Sequence, residues 1–487
     1  MPRPILLLAP LALGCPDSAT DSAPDTAPEQ RQDVPFITDD DGRALILHGL
    51  NVMSASKSDP DRMPPIEPEI IQRMADDWGF DLSRFLIFWD HVEPNPGEID
   101  QAYLDDVELW LDRHADAGIF VVLDMHQDVY AQRFCCDGAP EWAIRDDGES
   151  FTMQGSWFLN YFQPAVQRSF DNFWLYTDGE HADVQEHYIQ AWVAVAERFR
   201  DHPAVLGYDI INEPSPGSAN DGQELLGLEN PSGSHPDFDQ QRLGPFYQRV
   251  IDAIRAVDGD RWIFYEPRYG APANGLPSYM APLVDPRPGQ QRLVYFPHLY
   301  SLKLEAGQSY DPQNDTAIAG WEANRALERQ AQGSPLLIGE WGFDSTWDNA
   351  HQALYDTLAM ADRATSGWSY WSLDPGSWGI VDSEWNERES ADILVRPYPQ
   401  RVAGTPTEYG FDPTTRRFHL AFDDRAGVQG STVIYLPAAR HYPEGWTLSS
   451  DDPEGSWSSS WDAAKELLSV ETDPSLGSHS FEIVPAG

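Results

Sequence analysis

From Ala44 onward, short apolar runs alternate with longer segments in which apolar residues return every three or four positions. The short runs are ALILHGLNV from Ala44, LSRFLIFW from Leu82, GIFVVLDMH from Gly118, VLGYDIINE from Val205, RWIFYEP from Arg261, RLVYFPHLY from Arg292, PLLIGEWG from Pro335 and GWSYWSLD from Gly367. They are nearly continuous rather than alternating, as expected of strands covered on both faces of a parallel sheet. Between them, PEIIQRMADDWG, YLDDVELWLDRHADAG, EHYIQAWVAVAERFR, PFYQRVIDAIRAV, AIAGWEANRALERQ and NAHQALYDTLAMADRAT carry helical spacing. Eight strand-helix units over about 330 residues predict an α/β fold, a (β/α)8 TIM barrel with loop insertions, spanning residues 34–394. The link YGAPANGLPSYMAPLVDPRPGQQ, between the fifth and sixth runs, is too rich in Pro and Gly for much helix.

Past Asp374 the pattern changes. RRFHLAFD, STVIYLPA and HSFEIVPA alternate and are separated by turn-rich segments, with SWDAAKELLS as the one candidate helix. A small C-terminal antiparallel β-sandwich over residues 395–487 is expected.

Composition narrows the function. The chain of 487 residues carries 79 acidic against 32 basic side chains, a formal charge of −47, and a field of that sign repels phosphate backbones and anionic head groups. Nucleic acid is therefore excluded as a partner class, and a solvated acidic surface is the plain reading. Residues 1–15 combine an early Arg with an apolar run too short to span a bilayer, which predicts an export signal. Cys15 stands where a lipoprotein signal places its acylated cysteine, so a secreted and a lipid-anchored product are both open. Residues 16–33, rich in Ser, Thr, Ala, Pro and Asp, predict a disordered tether. The other cysteines, Cys135 and Cys136, are adjacent; a vicinal disulfide is strained, so two small thiols are expected. With no Cys/His framework, neither a metal nor another cofactor is expected.

In a barrel of this kind the site gathers at the carboxyl ends of the strands. Those ends carry Arg84, then His126 and Asp128, then Asn212 and Glu213, then His298 and Tyr300, then Glu340, then Trp371. Taken singly, a Glu before a Pro is most often a turn residue, and a lone His or Trp belongs to the core. Taken together, at the ends of separate strands, they form a site. Two carboxylates facing each other across the mouth are what glycoside hydrolysis requires. Glu213 would be the acid/base with a raised pKa, and Glu340 the nucleophile, kept ionised by Arg84 and Tyr300. Asn212 would hold a sugar 2-hydroxyl, His126 and His298 would orient these groups, and Trp371 would offer a flat face to the ring.

INEP and IGEWG, with Arg84, His126, Asn212, Glu213, His298, Tyr300, Glu340 and Trp371 in that order, resemble glycoside hydrolase family 5, whose members are retaining (β/α)8 enzymes needing no metal. LDMHQDVYAQRF, DGAPEWA and RPYPQRVAGTPTEYGFD resemble, more narrowly, the endoglycoceramidases and relatives that cut β-glucosidic bonds to lipid aglycones. That resemblance runs into the C-terminal domain, and it departs at Cys135-Cys136. It implies sugar contacts for Lys57, one of three lysines in the chain, and for Asp128. An aromatic-rich insertion of about 60 residues after His126 is expected to fold as a lid. Trp157 and Trp174 are its candidates for sugar or lipid contact.

The resulting expectation is an exported, monomeric, retaining β-glycosidase acting on a glycolipid or oligosaccharide, reaching lipid through apolar loops or a lipid anchor. A cellulase- or mannanase-type endoglycanase, a β-glucosidase of steryl or simple glucosyl-lipids, and a carbohydrate-binding protein on a degenerate barrel are the alternatives.

Overall fold

The computed structural model describes residues 36–175, 181–219, 234–301 and 309–486. The export signal expected at residues 1–15 and the tether expected at residues 16–33 lie outside the described residues.

One apolar run serves two sheets. Within ALILHGLNV, β1 (Ala44–Leu45) pairs antiparallel with a C-terminal strand, whereas β2 (Leu47–Val52) opens the barrel. The barrel continues through β3 (Leu82–Phe88), β4 (Phe120–His126), β5 (Val205–Asp209), β6 (Trp262–Tyr265), β7 (Leu293–Tyr295), β8 (Ile338–Trp341) and β9 (Gly367–Tyr370), all parallel. Parallel bridges Tyr295 to Leu336 and Leu299 to Trp341 join β7 to β8 and close the ring.

Strand alternation sorts the side chains. Outward residues such as Phe85, Leu123, Tyr208 and Ile338 pack against the helices in the main core. Inward, Leu47, Leu82, Val122, Leu206, Phe264 and Val294 form an apolar plug at the amino ends of the strands. Two residues further along β3 and β4 the plug gives way to Arg84 and Asp124, both fully buried. The charged layer of the site thus stands on an apolar floor.

One helix ends where its sequence says it should. Helix Gln101–Ala117 starts with the Asp100 carboxylate accepting the Ala102 and Tyr103 amides and stops at Gly118, whose φ of 72° suits a glycine. Between β6 and β7 no helix forms in residues 266–292. Side chains of the next helix, Ala317–Gln332, take over the missing backbone partners: Arg325 donates to the Pro272 and Leu276 carbonyls, and the Leu283 amide donates to Gln332.

The C-terminal domain stacks two antiparallel sheets. β1 joins β10 (Tyr398–Val402) and three later strands in a five-stranded sheet, β1-β10-β13-β16-β15, opposite the four-stranded β11-β12-β17-β14. Their strands are β11 (Thr405–Asp412), β12 (Arg417–Asp423), β13 (Thr432–Tyr435), β14 (Trp446–Ser450), β15 (Trp457–Asp462), β16 (Leu467–Thr472) and β17 (Ser478–Pro485). SWDAAKELLS, the candidate helix, is instead the β15-β16 hairpin; it reverses at Glu466 with φ 53°, and Leu468 and Val470 are buried on alternate positions of β16. Sheet pairing overrides the local helical period there. The domain docks on the barrel through Tyr398 and Gln400 donating to the Gly79 carbonyl and through the Arg396–Asp362 ion pair at 2.7 Å.

A second expectation fails at Cys135 and Cys136, which are joined in a disulfide. The chain leaves the short helix Gln132–Phe134 through Cys135 at φ 113°, and that turn brings neighbouring sulfurs together.

Candidate active site

The site is built on Arg84. Its guanidinium reaches Asp209 at 2.9 Å, Asp124 and Glu266 at 3.0 Å and Glu340 at 2.5 Å, and donates to the side-chain Oδ1 of Asn51 and of Asn212 at 3.0 Å. A buried cation unpaired would be prohibitive, and four carboxylates on one fork resolve that while leaving net negative charge for other cations to share. Asn212 is fixed from both ends, because its amide also donates to the Gln127 carbonyl.

His298 is the second cation. Its Nδ1 lies 3.0 Å from Glu213 and 3.7 Å from Glu340, and its Nε2 lies 3.1 Å from Glu266. Burial alone would strip its proton, but Glu266, Glu340 and Glu213 outweigh burial and hold its pKa well above the usual value. His126 behaves alike: burial and Lys57 oppose its charge, yet Asp124, at 2.6 Å from Nδ1, brings its pKa up to about 9.

The two glutamates are pushed apart. Burial raises Glu213, reinforced by the charges of Glu340 and Asp128 and only partly offset by His298. Burial would raise Glu340 as well, but His298, Arg84, His126 and Lys57 together hold it below the ordinary glutamate value. Tyr300 Oη donates to Glu340 at 3.1 Å. Glu213 takes a left-handed φ of 42°, held by its own amide donating to Glu266 at 2.9 Å and by Gln127, whose amide donates to the Asn212 and Glu213 carbonyls. The result is two carboxyls driven in opposite directions, Glu213 up and Glu340 down, beside a shared imidazolium, the arrangement that an acid and nucleophile pair requires.

A polar rim borders the pair. Lys57 Nζ is 2.6 Å from Asp128 and 4.1 Å from the Trp371 ring centroid, and His126 stacks on Trp371 at 5.8 Å. The turn carrying Lys57 is fixed by Asp374, whose two oxygens accept the Ser54 and Ala55 amides at 2.7 Å and whose Oδ2 also accepts the Ser372 hydroxyl. Behind Asp128 lies Asp137, which accepts the Asp128 amide; burial and the Asp128 charge bring its pKa up to about 7. Among the described residues, His126, Asp128 and Asp137 have the spacing of a metal site, and the Lys57 ammonium already supplies the cation against Asp128.

Arg84, His126, Asp128, Asn212, Glu213, His298, Tyr300, Glu340, Trp371 and Lys57 therefore converge on one mouth. Trp157 stands on the surface of the insertion, half exposed. Trp174 is buried among Phe173, Phe238 and Phe246 with its indole N–H on the Ser215 carbonyl, a core position that presents no face to a ligand. Sequence reasoning missed Glu266, although it closes RWIFYEP with the same Glu-Pro step that closes INEP. It also passed over Asp124, Asp209 and Asn51, which sit inside apolar runs, and Asp374, which lies past the last strand.

Residues 42–377 match the family described as cellulase (glycosyl hydrolase family 5), and residues 396–483 match the glycoside hydrolase family 5 C-terminal domain. Endoglycoceramidase I of Rhodococcus hoagii (strain 103S) is 30% identical over 85% of this chain and 81% of its own length. Among solved structures, endo-glycoceramidase II from Rhodococcus sp. in its ganglioside GM3 complex superposes with a TM-score of 0.84 at 38% identity, covering 93% of this chain and 100% of that one. The same enzyme as a lactosyl-enzyme intermediate gives 0.82 at 38% identity with the same coverage.

Proposed function

The chain belongs to glycosyl hydrolase family 5, and from that premise we propose that it is a retaining β-glycosidase cleaving the bond between the glycan and the lipid of a glycolipid. The observation that carries the mechanism is His298 Nδ1, within 3.7 Å of an oxygen of both Glu213 and Glu340. One atom this near to both carboxylates favours the close pair of a double displacement over the wide pair that admits a water between.

Glu340 attacks the anomeric carbon while Glu213 gives its proton to the departing oxygen, so the lipid leaves as an alcohol. Esterification removes the charge of Glu340, one of the causes that raise Glu213. The acid thereby becomes a better carboxylate at the moment it must act as base. It then takes a proton from water, whose oxygen attacks the same carbon and frees Glu340. Arg84 and the His298 imidazolium keep Glu340 ionised before the attack and receive its charge back after release. Asn212, Lys57, Asp128 and Trp371 are placed to hold the sugar.

The glycolipid assignment is supported by relatives named endoglycoceramidase that match through both domains. Export through residues 1–15, a monomeric state and attachment through Cys15 belong to the same proposal, and intact mass of the cell-envelope protein tests the last. The substrate is tested by mass spectrometry of products from dispersed sialyl-lactosylceramide, glucosylceramide and soluble cello-oligosaccharides, with Glu340→Gln as control. Release of ceramide with an intact glycan by the parent alone supports the proposal. Cleavage of only the soluble oligosaccharides would make the protein a polysaccharide endoglycanase instead.

A further inference from the structure

Residues 150–167 contain no Asp, Glu, Lys, Arg or His, in a chain of which 23% is charged. Within that stretch Met153, Trp157 and Leu159 are 56%, 50% and 40% exposed, an apolar ridge on the surface of the insertion. Isolated exposed apolar residues are ordinary; three large ones within seven positions of an uncharged segment are not.

The ridge is held in place. Buried Asn160 accepts the Gln154 amide at 2.9 Å and donates to the Trp157 carbonyl at 3.0 Å and to Cys135 Sγ at 3.5 Å. It is also continuous with the catalytic mouth. The Trp157 ring lies 6.2 Å from that of Tyr161, Tyr161 stacks on Tyr269 at 4.6 Å, and the Tyr269 amide donates to the carbonyl of Pro214, the residue after Glu213.

The charge of the chain selects the occupant. A net charge of −47 repels anionic membranes and a second copy alike, so neither electrostatic adsorption nor self-association explains an uncharged, exposed ridge. A zwitterionic lipid surface imposes no such repulsion and accepts a Trp at its head-group level with Met and Leu below. We propose that Met153, Trp157 and Leu159 form a docking ridge that inserts into a neutral lipid surface and brings the catalytic mouth against the head groups. The delivery of substrate rests on the function proposed above; the docking does not.

The test separates the two. Protein carrying Cys15→Ser, which removes any acyl anchor, is sedimented with pure phosphatidylcholine vesicles at 0.15 and 1 M NaCl. The expected result is binding that persists at high salt and weakens at least tenfold in Met153→Ser/Leu159→Ser and in Trp157→Ser. The double variant should hydrolyse a soluble aryl glycoside within twofold of the parent, which certifies its fold, and vesicle-borne glycolipid at least tenfold more slowly. Equal vesicle binding by parent and both variants, or no binding by the parent, overturns the ridge. If neither protein cleaves glycolipid but the binding difference persists, the docking stands and the substrate assignment falls.

Discussion

His48 and His298 occupy the same barrel, are equally buried, and are driven to opposite charge states. His48, on the outer side of β2, is sandwiched between the Trp368 and Tyr398 rings at 4.4 and 3.7 Å, and neither ring nitrogen has a hydrogen-bond partner among the described residues. Burial, aided by the Arg396 charge, lowers its pKa well below the ordinary value, so it remains neutral. His298 meets the same burial but faces three carboxylates, and they hold its proton. Burial expels charge by default, and the mouth keeps its cations only because the strand ends surround them with acids. The concentration of net acid around Arg84, His126 and His298 is therefore what distinguishes the catalytic end from the rest of the fold.

The comparison breaks most severely if its charges are removed at the reacting atoms. Glu340→Gln should lower glycoside hydrolysis by about 10^4-fold or more, as losses of an essential nucleophile do. Turnover of a soluble aryl glycoside measures it. Glu213→Gln should cost about 10^2- to 10^4-fold, and less when the leaving group needs no protonation. The parent should lose kcat/KM at low pH, as Glu340 with its depressed pKa is protonated, and at high pH, as Glu213 with its raised pKa is deprotonated. In Glu213→Gln the alkaline limb should vanish, which a pH profile shows directly.

Stability sharpens the same contrast. Arg84→Leu leaves four carboxylates with their common partner gone and should cost about 3–5 kcal/mol in urea unfolding, the range for breaking a buried ion pair. Asp374→Asn puts an NH2 donor in place of one of the two oxygens that accept the Ser54 and Ala55 amides and loosens the Lys57 turn; an effect of about 1.5–3 kcal/mol should appear in KM rather than kcat. His48→Phe keeps the stack and deletes two unpartnered nitrogens, so its effect near neutral pH should be the smallest, within about 1 kcal/mol. Its sign depends on pH. A depressed folded pKa means the unfolded chain binds more protons below about pH 6.5, so the parent loses stability on acidification that His48→Phe retains. For His298, whose folded pKa is raised, the stabilisation is complete below that pH and is lost as pH rises through the raised value. Melting temperatures of His48→Phe and of His298→Phe against the parent across pH should therefore diverge in opposite directions.

Much of this was legible beforehand because a parallel barrel writes itself as continuous apolar runs with polar groups at one end. Glu213, Glu340 and the rim residues announced themselves by position. Glu266 did not, since a single Glu-Pro step reads as a turn until its partners are seen, and Asp124 and Asp209 were hidden inside runs judged by their apolar majority. The C-terminal hairpin is not legible because AAKELL has helical spacing, and only the pairing of β15 with β16 decides otherwise. Strain argues locally against the Cys135–Cys136 bond, and the turn at Cys135 overrules it.

The central claim is that Glu340 attacks carbon and Glu213 moves the proton. Its most direct test is to react the parent with a 2-deoxy-2-fluoro glycoside bearing a good leaving group, then locate the label by peptide mass spectrometry. A single glycosyl adduct on Glu340 is the predicted result. An adduct on Glu213 or Glu266, or inverted product with no adduct, would contradict the account.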